Sequence, residues 1–183
     1  RFNVPQIRIE PNNEELDALA EAFSTHFILY SKNIEGSFRA ACDKLGKKYL
    51  LFEAGKALDI NNDVIEEGIQ GTIRFLDKLQ MLNNNFAVKE PSQTMVCIEN
   101  STWVRAQYSG LLHNFVRPGA LVKAGMELGK ITDPYGLVEE PILAPNDGYI
   151  ICKNQAAIVF QGDAVYHIST KLKNDQERIT QEI

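Results

Sequence analysis

The sequence is poor in cysteine and contains no closely spaced pair of cysteines. Its three cysteines, Cys42, Cys97 and Cys152, are odd in number and far apart, and no Cys-x-x-Cys occurs. Reduced thiols in a cytosolic protein are the simplest account of this pattern. We expect each of the three to be a small core residue.

Long apolar runs and clusters of basic residues are also missing. No stretch of about 18 apolar residues occurs, so we expect no membrane-spanning segment. The net charge is −5 without a Lys/Arg cluster, which argues against a nucleic-acid partner. Residues 1–5 show no signal-peptide pattern. With 44% hydrophobic and 23% charged residues, the 183-residue chain is typical of a cytoplasmic globular protein of one large or two small domains. A homo-oligomer stays open.

Histidine is scarce, and none of the three histidines lies in a metal-binding motif. His26, His113 and His167 are tens of residues apart, with no His-x-x-Glu or His-x-x-x-His pair. We expect them to be structural or surface residues. The sequence therefore gives no metal ligand within this chain.

What the first half does contain is apolar periodicity that alternates between strand and helix. Residues 6–9 and Phe27–Tyr30 are typical of short strands, and residues 49–52 of a third. The first predicted helix follows Asn12 and Asn13 and has Leu16, Leu19, Ala20 and Phe23 on its apolar face. The second is capped by Ser37 and has Phe38, Ala41, Cys42 and Leu45 on that face. The third starts at Asp63 with Glu66 and has Ile65, Ile69, Ile73, Leu76 and Leu79 on it. This order predicts a parallel or mixed α/β sheet.

The strand predicted at residues 49–52 ends in a carboxylate. A continuous apolar run there indicates a strand buried on both faces, followed by Glu53 and, at Gly55, a sharp turn. Ligands of open α/β sheets gather beyond the carboxyl ends of strands, which makes Glu53 a candidate site residue. The alternative is a strand-end carboxylate that points into solvent.

Arg39 is the second candidate, because it lies in the first turns of the helix that follows a strand. A guanidinium there can hold an anionic carboxylate with a bidentate pair of hydrogen bonds. The alternative is an ordinary solvated helix arginine.

Beyond a polar linker that runs from Asn83 to Pro91, the chain repeats itself. Ala106, Gly110 and Leu112 match Ala144, Gly148 and Ile150 at an offset of 38, and Val122, Gly125, Leu128 and Ile131 match Val159, Gly162, Val165 and Ile168 at an offset of 37. Each half is a turn glycine, a strand, a second turn glycine and a strand. The repeat predicts a small β-sandwich with pseudo-twofold symmetry.

This repeat resembles the barrel-sandwich hybrid of biotinyl and lipoyl domains. Those carriers bear their cofactor on a lysine between the halves. The joining segment here, residues 132–141, contains no lysine and no Met-Lys-Met, which contradicts a carrier function.

The whole chain resembles the succinylglutamate desuccinylase/aspartoacylase family, zinc-dependent relatives of the metallocarboxypeptidases. The stretches concerned are Glu-Gly-Ser-Phe-Arg-Ala-Ala at 35–41, Leu-Phe-Glu-Ala-Gly at 51–55, the long helix and the lysine-free sandwich. The resemblance covers about residues 1–170. It implies an α/β partial catalytic domain, metallocarboxypeptidase-like, over residues 1–85, an all-β barrel-sandwich domain over 94–170 and a charged tail over 171–183.

The resemblance also implies an activity: zinc-dependent hydrolysis of the amide bond of a small N-acyl amino acid. Zinc lowers the pKa of a bound water and polarises the acyl carbonyl. By the resemblance, Glu53 is the general base, which takes the proton of that water and passes it to the leaving amine. Arg39 is implied as the residue that binds the substrate carboxylate.

The chain departs from the family in its metal ligands and its tyrosines. The family's His-x-x-Glu-type motif and its later histidine have no match here, so we expect the zinc ligands in sequence that precedes Arg1. We therefore expect this chain by itself not to hydrolyse through zinc. Aspartoacylases proper carry tyrosines where this chain has Glu35 and, in the sandwich, Ala157 and Ile158 nearby. These differences argue against N-acetylaspartate as the substrate.

Two other interpretations stay open. One is a non-catalytic module in which the partial sheet and the sandwich bind a partner protein. The other is a zinc carboxypeptidase or amidase that cleaves a different amide. We further expect the upstream half to expose an apolar strand edge, and the sandwich from about Thr94 to Thr170 to fold alone.

Overall fold

The computed structural model describes residues 1–83, 86–91 and 94–173. The chain divides into two compact units, which we call the α/β unit (Pro5–Glu99 with Leu172–Ile183) and the β unit (Arg1–Val4 with Asn100–Lys171). The predicted domain boundaries stay predictions. Most of the predicted tail, from position 174 onward, lies outside the described residues.

The α/β unit alternates strands and helices along the chain. In order, its elements are β1 (Phe2–Ile9), α1 (Glu14–Phe23), β2 (Phe27–Tyr30), α2 (Phe38–Lys44), β3 (Leu51–Lys56), α3 (Asn62–Lys78) and the start of β4 (Val96–Arg105). The strand order is β3-β1-β2-β4, and the β1–β2 and β2–β4 pairs are parallel. The predicted parallel or mixed sheet with helices is confirmed.

Helix α1 follows its sequence pattern closely. The Asn13 side chain accepts a hydrogen bond from the Leu16 backbone N–H, which satisfies one of the free donors of the first turn. The predicted apolar face is the buried face: Leu16, Leu19, Ala20 and Phe23. This face packs into the core of the α/β unit together with Ile7, Ile9 and Ile28.

Helix α2 begins at the predicted cap but buries a different face. The Ser37 side chain accepts from the Ala40 N–H, as predicted. The predicted apolar stripe is wrong, because Phe38 and Leu45 are 75% and 73% exposed and Arg39 is the buried residue of the helix. The physical reason is that this helix has only seven residues. Hydrogen bonds from Arg39 hold its inward side, and of the predicted apolar positions Cys42 packs, partly buried, against the core.

Helix α3 turns its glycines toward the core. Asn61 is the N-cap without a side-chain cap bond, so the predicted start at Asp63 and Glu66 is wrong. Ile65 and Ile69 on the predicted face remain about half-exposed, at 49% and 48%. They line an apolar groove of about 480 Å³ beside Phe23 and Phe52.

Strand β3 differs from its prediction in position and burial. It begins at Leu51 and runs through Glu53 to Lys56, so Glu53 lies within the strand rather than beyond its end. The residues from Leu51 to Ala54 are half-buried, not buried on both faces. The reason is topological, because β3 is the first strand in the order and pairs with β1 on one side only among the described residues.

The β unit is built from short antiparallel strands. They are the end of β4, then β5 (Gly110–Asn114), β6 (Leu121–Val122), β7 (Glu127–Thr132), β8 (Glu139–Leu143), β9 (Gly148–Lys153), β10 (Ile158–Val159) and β11 (Ala164–Leu172). One sheet has the order β10-β5-β7-β8, and the other places β4, β11, β9 and β6 side by side. The end residues Phe2 and Asn3 of β1 pair with β9.

The two halves of the sequence repeat make equivalent backbone contacts. Strand β10 of the second half pairs with β5 of the first, and β6 of the first half pairs with β9 of the second. At equivalent places, a Cβ on Gly110 would lie 2.3 Å from the Thr132 carbonyl oxygen, and a Cβ on Gly148 would lie 2.2 Å from that of Ser169. Only glycine tolerates such close backbone approaches. The repeated glycines therefore mark the two places where strands cross.

The segment that joins the halves is a tight turn between β7 and β8. Hydrogen bonds from the N–H groups of Val138 and Leu137 to the Asp133 carboxylate lower the pKa of that carboxyl. Tyr135 and Leu137 at the tip are 85% and 84% exposed. Within the described ranges, no helix combines the length and apolar character needed to cross a membrane.

Candidate functional site

Glu53 lies on the face of β3 that points away from the helices. Its neighbour Phe52 packs against Phe23 of α1, with ring centroids 5.4 Å apart, and side chains alternate along a strand. Gln6 and Arg8 share one face of the adjacent strand β1, and both reach the Glu53 carboxylate. The resulting cluster of Gln6, Arg8 and Glu53 is the candidate site.

Both contacts in this cluster go to the same oxygen. Gln6 donates from Nε2 to Oε2 of Glu53 at 3.2 Å, and Nε of Arg8 lies 2.8 Å from the same Oε2. The Arg8 Nε–H is not directed at the oxygen, so that contact is an ion pair without a well-aligned hydrogen bond. No side chain or backbone group of the described residues forms a hydrogen bond or ion pair with Oε1 of Glu53. One oxygen is therefore held and the other is available.

The three side chains differ in burial. Gln6 is fully buried, whereas Arg8 and Glu53 are 22% and 35% exposed at their side chains. An ion pair with this exposure contributes about 0–1 kcal/mol to stability. The Oε1 atom of Gln6 is buried and has no hydrogen-bond partner among the described residues. The cluster therefore orients a partly exposed carboxylate rather than stabilising the fold.

Arg39 binds the loop that follows β2. It is 8% exposed, and its Nη1 and Nη2 donate to the carbonyl oxygens of Ser31 and Lys32 at 3.1 and 3.2 Å. The same loop is fixed by Asn33, whose backbone N–H donates to Glu10 and whose side chain exchanges hydrogen bonds with the Tyr49 hydroxyl. Among the described residues, no hydrogen bond or ion pair joins Arg39 to Glu53.

Gln6, Arg8 and Asn33 were missed by sequence reasoning. A signal was available in β1, where Gln6 and Arg8 are two positions apart among the apolar residues Val4, Ile7 and Ile9. Polar residues at this spacing in a strand lie on one face of it. The pairing of β1 with β3 determines which carboxylate this face contacts. Neither segment alone predicts that pairing.

A second polar cluster lies at the carboxyl end of β2, around its last residue, Tyr30. The Tyr30 hydroxyl donates to Asp17 at 2.7 Å, and Lys173 Nζ donates to both groups, at 2.7 and 3.1 Å. Burial, and then the bond to Asp17, raises the pKa of the Tyr30 phenol, which keeps it neutral. Burial also raises the pKa of the Cys97 thiol. None of Cys42, Cys97 and Cys152 forms a disulfide. The raised pKa favours the thiol form of Cys97 over the more reactive thiolate.

The side chains present do not fit a zinc ion. Each histidine has its own partner: His26 the carbonyl oxygen of Thr94, His113 the hydroxyl of Thr132, and His167 the hydroxyl of Ser101. The part of the chain that the structure describes holds no group of three or more His, Cys, Asp or Glu residues that could bind a metal.

Solved structures with a similar fold cover nearly the whole chain. The apo structure of the Ectoine utilization protein EutE (DoeB) from Ruegeria pomeroyi matches with a TM-score of 0.81 over 93% of this chain, at 17% identity. A succinylglutamatedesuccinylase/aspartoacylase from Rhodobacter sphaeroides matches with a TM-score of 0.78 over 92%, also at 17% identity. This chain shares their fold. An aspartoacylase family protein from Mesorhizobium loti matches at 0.73 over 93%, with 15% identity.

The match covers only part of the length of the solved structures. The chain spans 56%, 55% and 59% of those three chains, a little over half of their length. No family model and no curated protein matches the sequence. At this identity the likeness concerns the fold alone. The site residues and the barrel-sandwich description of the β unit stay predictions.

Proposed function

We propose that the chain belongs to a deacylase-like hydrolase that cleaves the amide bond of an N-acyl amino acid. The observation that carries this proposal is the Glu53 carboxylate, which is partly exposed, held at Oε2 and available at Oε1. It occurs in a chain that has the fold of proteins named succinylglutamate desuccinylase and aspartoacylase.

The chemistry that suits this carboxylate is proton transfer. Glu53 takes a proton from a water molecule as that water attacks the amide carbonyl, and then gives the proton to the departing amine. A single carboxylate can do both, because the proton it accepts in the first step is the one it donates in the second. The partial exposure of Glu53 makes its carboxylate accessible from solvent.

Zinc belongs to the proposal only as an expectation from the resemblance. When bound, it would supply an activated water and an electrophile for the carbonyl oxygen. The described residues do not form a site for it.

For Arg39 we propose substrate-carboxylate binding, with a structural condition. Its terminal nitrogens donate to the Ser31 and Lys32 carbonyls, so a substrate carboxylate must replace at least one of these acceptors. The gain is a bidentate ion pair between opposite charges in place of hydrogen bonds to uncharged carbonyl oxygens. Burial of Arg39 favours this exchange, because it removes competition from water.

The test is Glu53→Gln in the complete encoded protein, with N-acyl amino acids as substrates and Glu127→Gln as the control. Glu127 is an exposed carboxylate on strand β7. We expect the Glu53 variant to keep its fold and metal content and to lose about 10²–10⁴ in rate. The control should retain full activity.

Near-normal turnover by Glu53→Gln, with metal content unchanged, would end the assignment of Glu53 as the base. A substrate panel separates the alternatives. Hydrolysis of short peptides in preference to N-acyl amino acids would favour a peptidase, and metal-free protein without any hydrolysis would favour a binding module.

A further inference from the structure

The two oxygens of Glu53 are in unequal surroundings. Gln6 Nε2 and Arg8 Nε both contact Oε2, at 3.2 and 2.8 Å, and the described residues place no donor on Oε1. A carboxylate held at one oxygen keeps a fixed orientation, while the other oxygen remains free to exchange a proton. This inference rests on the proposed role of Glu53 as a general base.

The Gln6 side chain is costly as a structural residue. It is fully buried, and its Oε1 has no hydrogen-bond partner in the described part of the chain. A buried polar atom without a partner is rare and calls for an explanation other than stability. A methionine of similar shape would fill the same space without an unpaired acceptor.

We propose that Gln6 and Arg8 are positioning residues that hold Oε2 of Glu53, so that Oε1 is the atom that accepts the proton. In the first step a water O–H bond breaks and an Oε1–H bond forms, while the water oxygen bonds to the acyl carbon. In the second step the Oε1–H bond breaks and its proton goes to the nitrogen of the departing amine.

The contacts to Oε2 suit both protonation states of Glu53. When Oε1 carries the proton, Oε2 is the carbonyl oxygen of a carboxylic acid and still accepts from Gln6 Nε2. The orientation of the base is therefore retained through the cycle.

The experiment compares Gln6→Met with Gln70→Met in the complete encoded protein. Gln70 is a matched control, because its Nε2 also donates to a carboxylate, that of Glu66 at 2.9 Å, and its Oε1 is also buried without a partner. The probes are N-succinyl-L-glutamate and a panel of other N-acyl amino acids. We expect Gln6→Met to lower kcat by about 10–100-fold, to leave KM within about twofold and to unfold at the same or a higher temperature. Gln70→Met should leave kcat unchanged.

Arg8→Lys and Arg8→Met provide a second pair if Gln6→Met does not fold. The lysine keeps a positive charge near Oε2, so kcat should decrease in the order wild type, Arg8→Lys, Arg8→Met at constant KM. Losses of kcat that follow losses of folding stability in these variants would indicate a structural role and overturn the proposal.

The failure of this inference differs from the failure of the proposed function. If Glu53→Gln is inactive while Gln6→Met and Arg8→Met keep the wild-type kcat, only the positioning role is overturned. If Glu53→Gln keeps its activity, or the wild-type protein hydrolyses none of the probes, the proposed function fails and this inference with it.

Discussion

Replacement of Gly71 by alanine tests how α3 is seated on the α/β unit. A Cβ built on Gly71 would lie 2.2 Å from the Phe23 ring, with two more ring atoms at 2.5 and 2.6 Å. Overpacking costs about 1–3 kcal/mol, and three ring atoms at such short distances place this case at about 2–3 kcal/mol. Alanine recovers about 1 kcal/mol through its higher helix propensity. We therefore expect a net loss of about 1–2 kcal/mol in the free energy of unfolding.

The matched control for this prediction is Gly68→Ala, one turn earlier in the same helix. Its Cβ would meet the edge of the Phe52 ring at 3.0 Å, a contact that a small ring movement relieves. The change in stability should stay within about 0.5 kcal/mol. Urea unfolding followed by circular dichroism at the helical minimum is the appropriate assay, because all described helices lie in the α/β unit.

The outcome also bears on the site. Phe23 contacts Phe52, and Phe52 is the residue before Glu53. A shifted Phe23 should therefore disturb β3 and lower activity as well as stability. Equal stabilities for Gly71→Ala and the wild type, or equal losses for both glycine variants, would refute the packing described for α3.

Three further predictions concern other contacts. Ser37→Ala removes the cap of α2 and should cost about 1 kcal/mol of unfolding free energy, measured by urea titration; no change would mean that the cap bond is not formed. Arg39→Lys should weaken binding of a carboxylate substrate much more than turnover of an uncharged amide analogue, because an ammonium cannot reproduce the bidentate fork; equal losses on both substrates would indicate a structural arginine. Burial raises the pKa of Glu67, so its contribution to stability is full at low pH and is lost as the pH rises through that pKa. Glu67→Gln should therefore raise the unfolding temperature at pH 7 relative to the wild type, with the difference closing below about pH 4.

Local patterns predicted what local physics determines. The α1 face and its Asn13 cap follow from spacing within one helix, and Ser37 follows from capping chemistry. The repeat was visible because glycines at strand crossings leave a fixed mark in the sequence. Glu53 was identified as a candidate by its place after an apolar run and by resemblance.

Other features required knowledge of which segments meet. The contact of Gln6 with Glu53 joins strands that are distant in the chain, so no periodicity in either strand reveals it. The inward side of α2 was misjudged because a short helix can be held by one buried arginine instead of an apolar stripe. The rotation of α3 depends on which residues fit against Phe23, and this is a matter of shape rather than of hydrophobic pattern.

The exchange of strands between the two repeats has a consequence for synthesis and folding order. Strand β5 cannot pair with β10 until residues 158–159 have left the ribosome. Strand β6 likewise cannot pair with β9 until residues 148–153 have been made. Phe2 and Asn3 pair with Lys153 and Cys152, which are made about 150 residues later. Such contacts between distant parts of a chain form slowly. The β unit should therefore assemble only after strands β9 and β10 have been made, and until then the strands made earlier remain without these partners.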